Sequence, residues 1–242
     1  MQIKVGSLKL ELKPLYTISF VTLTAILISL GCWQLTRSEE KRQFLELERV
    51  RLNTDKVSFA ELFSQTIEQL QYRTVELKGQ YVQAQQFLLD NQIHNGKPGF
   101  FVLTPFFVND KSAILVNRGW IPAELSRSKL PELGIKQVEQ VIFGRLNRFP
   151  SVGIKLKDGE IPTAGWPAII QWVDSKTLAS SLSYQLLPFQ LELDANQPEG
   201  YTREWKIAAV LPPEKHIAYA VQWFGLAFTL SILFIFHSLK RE

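Results

Sequence analysis

The sequence of 242 residues is 46% hydrophobic and 21% charged, which allows one domain of ordinary size together with membrane segments. Its Lys and Arg residues are scattered along the chain, so the net charge of +4 favours work beside anionic lipid and does not indicate a nucleic-acid partner. A single cysteine, Cys32, excludes an internal disulfide, and with only three separated histidines the sequence contains no zinc-type cluster.

A charge-free run over residues 14–36 is long enough to cross a bilayer as a helix, with Lys13 and Arg37 at its flanks. A cleaved signal peptide is an alternative, but the apolar run is too long and no small-x-small cleavage pattern follows it. A lipoprotein site ending at Cys32 is a second alternative, although Ser29 stands where a large aliphatic residue is usual. After Arg37, helix-forming residues with opposite charges at helical spacing predict that the helix continues as a solvated stalk.

The middle of the sequence predicts a mostly antiparallel sheet with a few helices. Ser58 and Glu61 form a capping-box pattern that begins a short helix ending before Gln71. Alternating or apolar runs between turn signals predict strands at residues 72–82, 87–93, 100–108, 113–121, 138–149, 168–173 and 188–193. Residues 174–182 are predicted to form a helix with Asp174 as its N-cap, and residues 151–167 a long loop.

A second charge-free run covers residues 216–239, whose helical length of roughly 36 Å exceeds the hydrocarbon thickness of about 30 Å. The expected fold is therefore an α+β membrane protein in which a hairpin of two transmembrane helices encloses a β-rich extramembrane domain. Its predicted segments are an N-terminus at 1–13, transmembrane helices at 14–36 and 216–239, a domain with a helical stalk at 37–215, and a C-terminus at 240–242. The two termini then share one side of the membrane, which the charge distribution does not identify.

His216 is the first residue of the second apolar run, and this places its imidazole at the membrane interface. Tyr219, Ala220, Trp223 and Ala227 follow it at i+3, i+4, i+7 and i+11 on the same helical face. An ionisable residue at this level is a candidate functional group because it is costly in lipid without a partner. The alternative is a hydrated histidine within an interfacial belt of aromatic residues.

A hairpin would bring the end of the first helix level with the start of the second. Gly31 and Trp33 are therefore expected beside His216 and Tyr219, where they would close a site with small and aromatic side chains. His237 lies about 31 Å further along the helix and is expected to be an interface residue.

The sequence contains no catalytic motif of the common kinds: no Gly-x-Ser-x-Gly elbow, P-loop, dinucleotide fingerprint or His-Glu-x-x-His. His94 lies in a predicted hairpin loop near Asp90, where a surface imidazole is the ordinary interpretation and a catalytic base the alternative. We therefore expect that the protein is not an enzyme.

Five motifs occur in a characteristic order and spacing. They are Leu30-Gly-Cys-Trp-Gln-Leu35 followed by Arg37, Tyr72-Arg-Thr-Val75 followed by Gly79 and Tyr81, Gly99-Phe-Phe-Val-Leu-Thr-Pro105, Leu115-Val-Asn-Arg-Gly-Trp-Ile-Pro122, and His216-Ile-Ala-Tyr-Ala220 followed by Trp223-Phe224. With these motifs the sequence resembles the Surfeit-locus (Surf/Shy) family of haem-copper oxidase assembly factors over about residues 31–224. Glu214-Lys215 departs from the asparagines that the family often carries before the histidine, which affects the approach to His216 more than the histidine itself.

The resemblance implies an assembly factor for a haem-copper oxidase, either a cytochrome c or a quinol oxidase. Oxidase subunit I is the implied partner, with haem a synthase as a further candidate and membrane lipid around the helices. Bacterial members are linked to delivery of haem a, so haem a is expected as a transiently bound cargo. Because no transit peptide precedes the first helix, we expect a bacterial inner membrane with the main domain on the periplasmic side.

The histidine that is proposed as the haem ligand in this family corresponds to His216. A neutral imidazole can bind haem iron axially, Tyr219 and Trp223 can lie along a macrocycle, and Trp33 can cover the site. A single protein ligand suits a carrier that must release its cargo.

Haem propionates need cations near the interface, and the candidates are Arg37, Arg118, Arg203 and Lys215. Arg118 has an alternative role, in which it only packs on Trp120. Two other functions stay open: an assembly scaffold that contacts oxidase subunits without binding haem, and a membrane-tethered sensor of a small molecule.

The hairpin places both termini on one side of the membrane, and the resemblance implies that this side is cytoplasmic and that the domain between the two helices is external. Alkaline phosphatase fused after residue 110 should be active, and a fluorescent tag after Glu242 should fluoresce in the cytoplasm. An active phosphatase at the C-terminus would contradict the hairpin.

Overall fold

The computed structural model describes residues 2–5, 8–11, 13–123, 130–205 and 211–241. In chain order the elements are β1 (Gln2–Val5), β2 (Leu8–Glu11), α1 (Pro14–Leu52), α2 (Phe59–Ser64), α3 (Ile67–Leu70), β3 (Thr74–Tyr81), β4 (Phe87–His94), β5 (Lys97–Asn109), β6 (Ser112–Pro122), β7 (Glu139–Asn147), β8 (Ala168–Ile170), α4 (Ser175–Ser180), β9 (Gln185–Leu193), α5 (Pro213–Ser238) and β10 (Leu239–Arg241). They form two compact units, Met1–Leu47 with Ile207–Glu242, and Glu48–Lys206. We call the first the hairpin unit and the second the sheet unit.

Among the described residues two helices are long and apolar enough to cross a membrane, α1 with 39 residues and α5 with 26, and all of α5 and residues 14–47 of α1 belong to the hairpin unit. In the sequence the strands of the sheet unit lie between these helices, so the predicted fold class is confirmed. The helix α1 continues past Arg37 to Leu52, as the stalk prediction requires. The terminal segments β1, β2 and β10 pair as a small antiparallel sheet, which the sequence reading missed. Where the membrane boundaries fall along the two helices stays a prediction.

The helices α1 and α5 pack antiparallel along a narrow seam. Phe20 stacks on Phe234 with ring centroids 4.1 Å apart. At the other end of the seam, Ser38 Oγ donates a hydrogen bond to the Pro213 carbonyl at 3.0 Å. The fully buried residues of the seam are mostly small, namely Gly31, Ser38, Ala220 and Ala227. This confirms the prediction that small residues lie at the helix contact, which allows close approach in lipid.

The register of the seam differs from the expected one by about one helical turn. Gly31 faces the ring of Phe224 instead of Tyr219. The residue level with His216 is Gln34, whose side chain contacts the imidazole. The bulk of the Phe224 ring explains this shift, because only the glycine leaves room for it on α1.

The sheet unit contains seven strands in the order β3-β7-β9-β6-β5-β4-β8, with an additional pairing of β3 to β5. That extra pairing joins Gln80 to Phe107 and Tyr81 to Phe106, so five of the strands close into a ring. Among the described strands only the β4–β8 and β6–β9 pairs are parallel, and the prediction of a mostly antiparallel sheet is confirmed. Inside the ring lies a core that includes Val75, Phe106 and Ile142.

Turn and cap residues in the sequence predicted the corresponding local structures correctly. Asn95 and Gly96, both with positive φ, make the two-residue turn between β4 and β5, as expected of an Asn-Gly pair. Asp174 caps α4 by accepting a hydrogen bond from the Thr177 backbone N–H at 3.0 Å. The predicted helix after Ser58 is divided into α2 and α3.

The capping box at the start of α2 also sets the charge state of Glu61. The Ser58 backbone N–H donates to Glu61 Oε2 at 2.8 Å, and Arg73 Nη1 donates to its other oxygen at 3.0 Å. These hydrogen bonds, that from Ser58 first, lower the pKa of Glu61 to about 2.

Replacing Gly31 by leucine is expected to loosen the hairpin. A Cβ at this position would lie 2.6 Å from two carbons of the Phe224 ring, so the larger side chain should cost about 1 to 3 kcal/mol through overpacking. Denaturant unfolding of the purified protein in detergent measures this cost, and the amount in the membrane fraction should not change. Gly225→Leu is the matched control, because none of the described atoms lies within 4 Å of a Cβ at Gly225. Equal stability of the two variants would contradict the close contact.

Candidate functional site

His216 lies in the first turn of α5, three residues after the helix begins at Pro213. Packing against α1 leaves its side chain only 8% exposed. Its Nδ1 is 2.7 Å from Oε1 of Gln34 on α1. An amide oxygen only accepts hydrogen bonds, so this contact is a hydrogen bond when Nδ1 carries the hydrogen, and in the neutral ring that tautomer leaves the lone pair on Nε2. The contact thus holds the imidazole through Nδ1, and among the described residues Nε2 has no hydrogen-bond partner.

The predicted aromatic partners of His216 lie outside the seam. Tyr219 is 42% exposed and Trp33 is 51% exposed, while Trp223 is partly exposed. The Trp33 ring is covered by the Arg37 guanidinium, 5.7 Å from its centroid. On α1 the residue that faces the imidazole is Gln34, the neighbour of Trp33. Whether Trp33, Tyr219 and Trp223 contact a cofactor stays a prediction.

Two of the four predicted cations belong to the hairpin unit. Arg37 is one turn after Gln34 on α1, and Lys215 directly precedes His216 and is exposed. Arg37 Nη1 pairs with Glu40 at 2.7 Å, and both side chains are about half exposed. Such a surface ion pair contributes little free energy, so the guanidinium can exchange Glu40 for another carboxylate.

Arg118 belongs to the sheet unit and is enclosed, with 1% of its surface exposed. Its guanidinium is surrounded by acceptors and rings: Glu199 O at 2.6 Å from Nε, Gln86 Oε1 at 2.8 Å from Nη1, Gly134 O at 3.1 Å from Nη2, and the ring centroids of Tyr81 and Tyr201 at 5.8 and 5.1 Å. The Glu199 carboxylate adds a longer ion pair at 3.9 Å. Each of the three guanidinium nitrogens of Arg118 thus donates a hydrogen bond to an acceptor within the protein. They are consistent with a structural role, and a propionate could not reach Arg118 without rearrangement.

The alternative role for Arg118 was packing on Trp120, but the guanidinium packs on tyrosine rings instead. The aromatic rings in contact with the guanidinium are those of Tyr81 and Tyr201, and Trp120 instead donates its Nε1 hydrogen to the Gln92 carbonyl at 2.9 Å. The cause is the strand geometry, since Gly119 has φ +110° and turns the two neighbouring side chains to different surroundings.

Arg203 also serves the sheet unit. Its Nη1 donates to the carbonyls of Asp194 and Gln197 at 2.6 and 2.8 Å, and its Nη2 donates to the Ala195 carbonyl at 2.9 Å. The side chain thus holds the loop after β9, and burial lowers the pKa of Arg203.

His94 is a half-buried residue at the end of β4, and its ring lies 5.0 Å from the Trp120 ring. Its Nε2 contacts the amide of the neighbouring Asn95 at 3.1 Å. These contacts fit the surface interpretation. Within the described part of the chain, no group of three His, Cys, Asp or Glu side chains could hold a metal ion.

Sequence reasoning missed Gln34, although a signal for it exists. Between Thr17 and Ser38 the less exposed residues of α1 recur mostly every three or four positions: Thr17, Phe20, Thr24, Leu27, Leu30, Gly31, Gln34 and Ser38. A polar amide on such a stripe of an apolar helix needs a hydrogen-bonding partner on the facing helix. The signal in the sequence is thus a polar amide within an apolar run, and the register of the two helices decides which residue it meets.

Comparison with known proteins shows which family this sequence matches. The model of the SURF1 family matches residues 21–228. A SURF1-like protein of Rickettsia felis is 26% identical over 238 residues, covering 88% of this chain and 92% of that protein. Surfeit locus protein 1 of Arabidopsis thaliana is 25% identical over 268 residues, covering 86% and 73%. The cytochrome oxidase assembly protein SHY1 of Saccharomyces cerevisiae is 29% identical over 97 residues, covering 39% and 25%.

The enclosure of Arg118 predicts a stability role. Arg118→Met should lower the free energy of unfolding by about 3 to 5 kcal/mol, because it leaves the Glu199 carboxylate and several buried acceptors without their partner. Urea unfolding followed by tryptophan fluorescence measures the change. Arg37→Met is the control and should change stability by less than about 1 kcal/mol. A wild-type midpoint for Arg118→Met would show that the network contributes nothing to the fold.

Proposed function

Because this chain belongs to the SURF1 family, we propose that it is an assembly factor for a haem-copper oxidase, which holds haem a at His216 and delivers it to oxidase subunit I. The assembly role is supported by the family match and by the name of the yeast relative, a cytochrome oxidase assembly protein. The proposal is non-enzymatic: the protein binds and releases a cofactor without changing its bonds.

The observation that supports haem binding is the contact between His216 Nδ1 and the Gln34 side chain. Histidines that bind metals usually donate their other ring hydrogen to a fixed acceptor, and Gln34 fills that position here. Among the described residues, no hydrogen bond to Nε2 is present, so this nitrogen is the candidate iron ligand. The surrounding helices are apolar, which suits the long hydrocarbon tail of haem a. The donor set therefore fits the proposed cargo.

Of the four candidate cations for the haem propionates, two belong to the same unit as His216. Arg37 and Lys215 are exposed and belong to the same unit as His216. Arg118 and Arg203 already donate to protein acceptors. Arg37 and Lys215 are therefore the proposed partners of the haem propionates.

The proposed location is a bacterial inner membrane, with the sheet unit on the periplasmic side. Two apolar helices and the similarity to Rickettsia proteins support membrane association in a bacterium. Subunit I and haem a synthase are the proposed partners, since one must receive the cofactor and the other must supply it.

One observation favours the scaffold alternative. His216 is nearly buried between the helices and pairs with Gln34, as a residue with only a packing role would. In that case the protein would contact oxidase subunits without holding haem.

His216→Ala separates these two functions. The protein should be expressed and inserted normally but should lose bound haem a, because the other histidine of α5, His237, lies 21 residues further along the helix. The measurement is the Soret absorbance of the protein purified after coexpression with haem a synthesis. His237→Ala is the control, since its ring contacts Tyr16 at the far end of the hairpin, and it should bind normally. Unchanged haem content and spectrum in His216→Ala would overturn the assignment of His216 as the ligand, whereas a wild-type protein purified without any haem a would support the scaffold.

A further inference from the structure

We propose that Gln34 is the positioning residue for His216, which fixes the tautomer and the orientation of the imidazole so that Nε2 is the ligand atom for iron. This inference rests on the proposed function of His216. The candidate ligand, His216, is on α5, whereas the residue that would orient it is on α1. The two residues are separated by 182 positions in the chain and meet through one hydrogen bond of 2.7 Å.

The first step of the argument is the tautomer. A neutral imidazole in water exchanges its hydrogen between the two nitrogens, and only the nitrogen without hydrogen can bind a metal. The amide oxygen of Gln34 accepts a hydrogen bond from Nδ1, and this stabilises the tautomer in which Nε2 carries the lone pair. Without that acceptor, part of the population would carry its hydrogen on Nε2 and would have to change tautomer before binding.

The second step is the choice of acceptor. A carboxylate at this position would be costly in an apolar helix, whereas a neutral amide is tolerated when it is hydrogen-bonded across a helix contact. An amide also makes the imidazole less basic than a carboxylate does. Gln34 therefore orients the ligand without making it very strong, which suits a cargo that must leave.

The third step is how Gln34 itself is held. One turn before it, Gly31 admits the ring of Phe224. One turn after it, Ser38 Oγ donates to the Pro213 carbonyl at 3.0 Å. These two contacts fix the distance between α1 and α5 on both sides of the Gln34–His216 pair. The hydrogen bond, and with it the affinity for iron, is therefore coupled to the spacing of the two helices.

Gln34→Leu tests the inference directly. It removes the acceptor, and haem a affinity of the full chain in detergent should fall about 10- to 100-fold, the usual effect of losing such a partner of a metal ligand. Ser38→Ala is the matched control, because it removes the neighbouring hydrogen bond between the same helices without contacting His216. It should lower haem affinity by much less than Gln34→Leu does, because the acceptor for Nδ1 remains in place. An equal loss in both variants would mean that helix packing alone matters, and this would overturn the positioning role.

Gln34→Glu distinguishes positioning from space filling. The carboxylate keeps the acceptor and makes the imidazole more basic, so haem should remain bound and its reduction potential should fall, since a more basic ligand favours ferric iron. A potential equal to that of the wild type would contradict an interaction between residue 34 and the ligand.

The unloaded protein provides a test that needs no haem. The sequence contains three histidines, so the His94→Ala and His237→Ala double variant keeps His216 as the single imidazole. Nitrogen-15 NMR of this protein should show the hydrogen on Nδ1, and adding Gln34→Leu should produce a mixture of tautomers. A hydrogen on Nε2 in the variant that keeps Gln34 would overturn the inference. A wild-type chain that never binds haem a would instead contradict the proposed function, and the inference would fall with it.

Discussion

The close contact between α1 and α5 is the constraint on which the candidate site depends. Inside lipid, two apolar helices gain little from burying their surfaces against each other, so their association depends on tight packing and hydrogen bonds. Gly31 allows the Phe224 ring to approach α1, while Ser38 and Gln34 each hydrogen-bond to α5. The same contact holds His216, so the position of its imidazole is a property of the helix pair and not of α5 alone.

In the sheet unit, Arg145 on β7 holds the two ends of the unit together. Its Nη1 pairs with Glu48 at 2.6 Å, its Nε pairs with Glu192, and its Nη2 donates to the Trp205 carbonyl at 3.0 Å. Glu48 begins this unit and Trp205 is close to its end. One guanidinium thus ties both ends of the unit to the centre of the sheet through a partly buried cluster, where breaking one partner would leave a charge uncompensated.

The proposed carrier role requires a ligand of moderate strength. A single imidazole that is oriented by a neutral amide is weaker than a pair of ligands or a histidine backed by a carboxylate. The arrangement of His216 and Gln34 meets this requirement in the hairpin unit, and Arg37 and Lys215 add exposed cations nearby. The enclosed arginines of the sheet unit contribute to its fold. The residues proposed to bind the cofactor are therefore different from those that stabilise the sheet unit.

Sequence alone determined the features that depend on neighbouring residues: the two apolar runs, the alternating strands, the Asn95-Gly96 turn and the Asp174 cap. It also singled out His216, because an ionisable residue in an apolar run is recognisable without any partner. Only the tertiary structure decided that Gln34 faces this histidine, that tyrosines enclose Arg118, and that β3 closes on β5. These contacts join residues far apart in the chain, and their register follows from side-chain volumes at the contact, which no local pattern encodes.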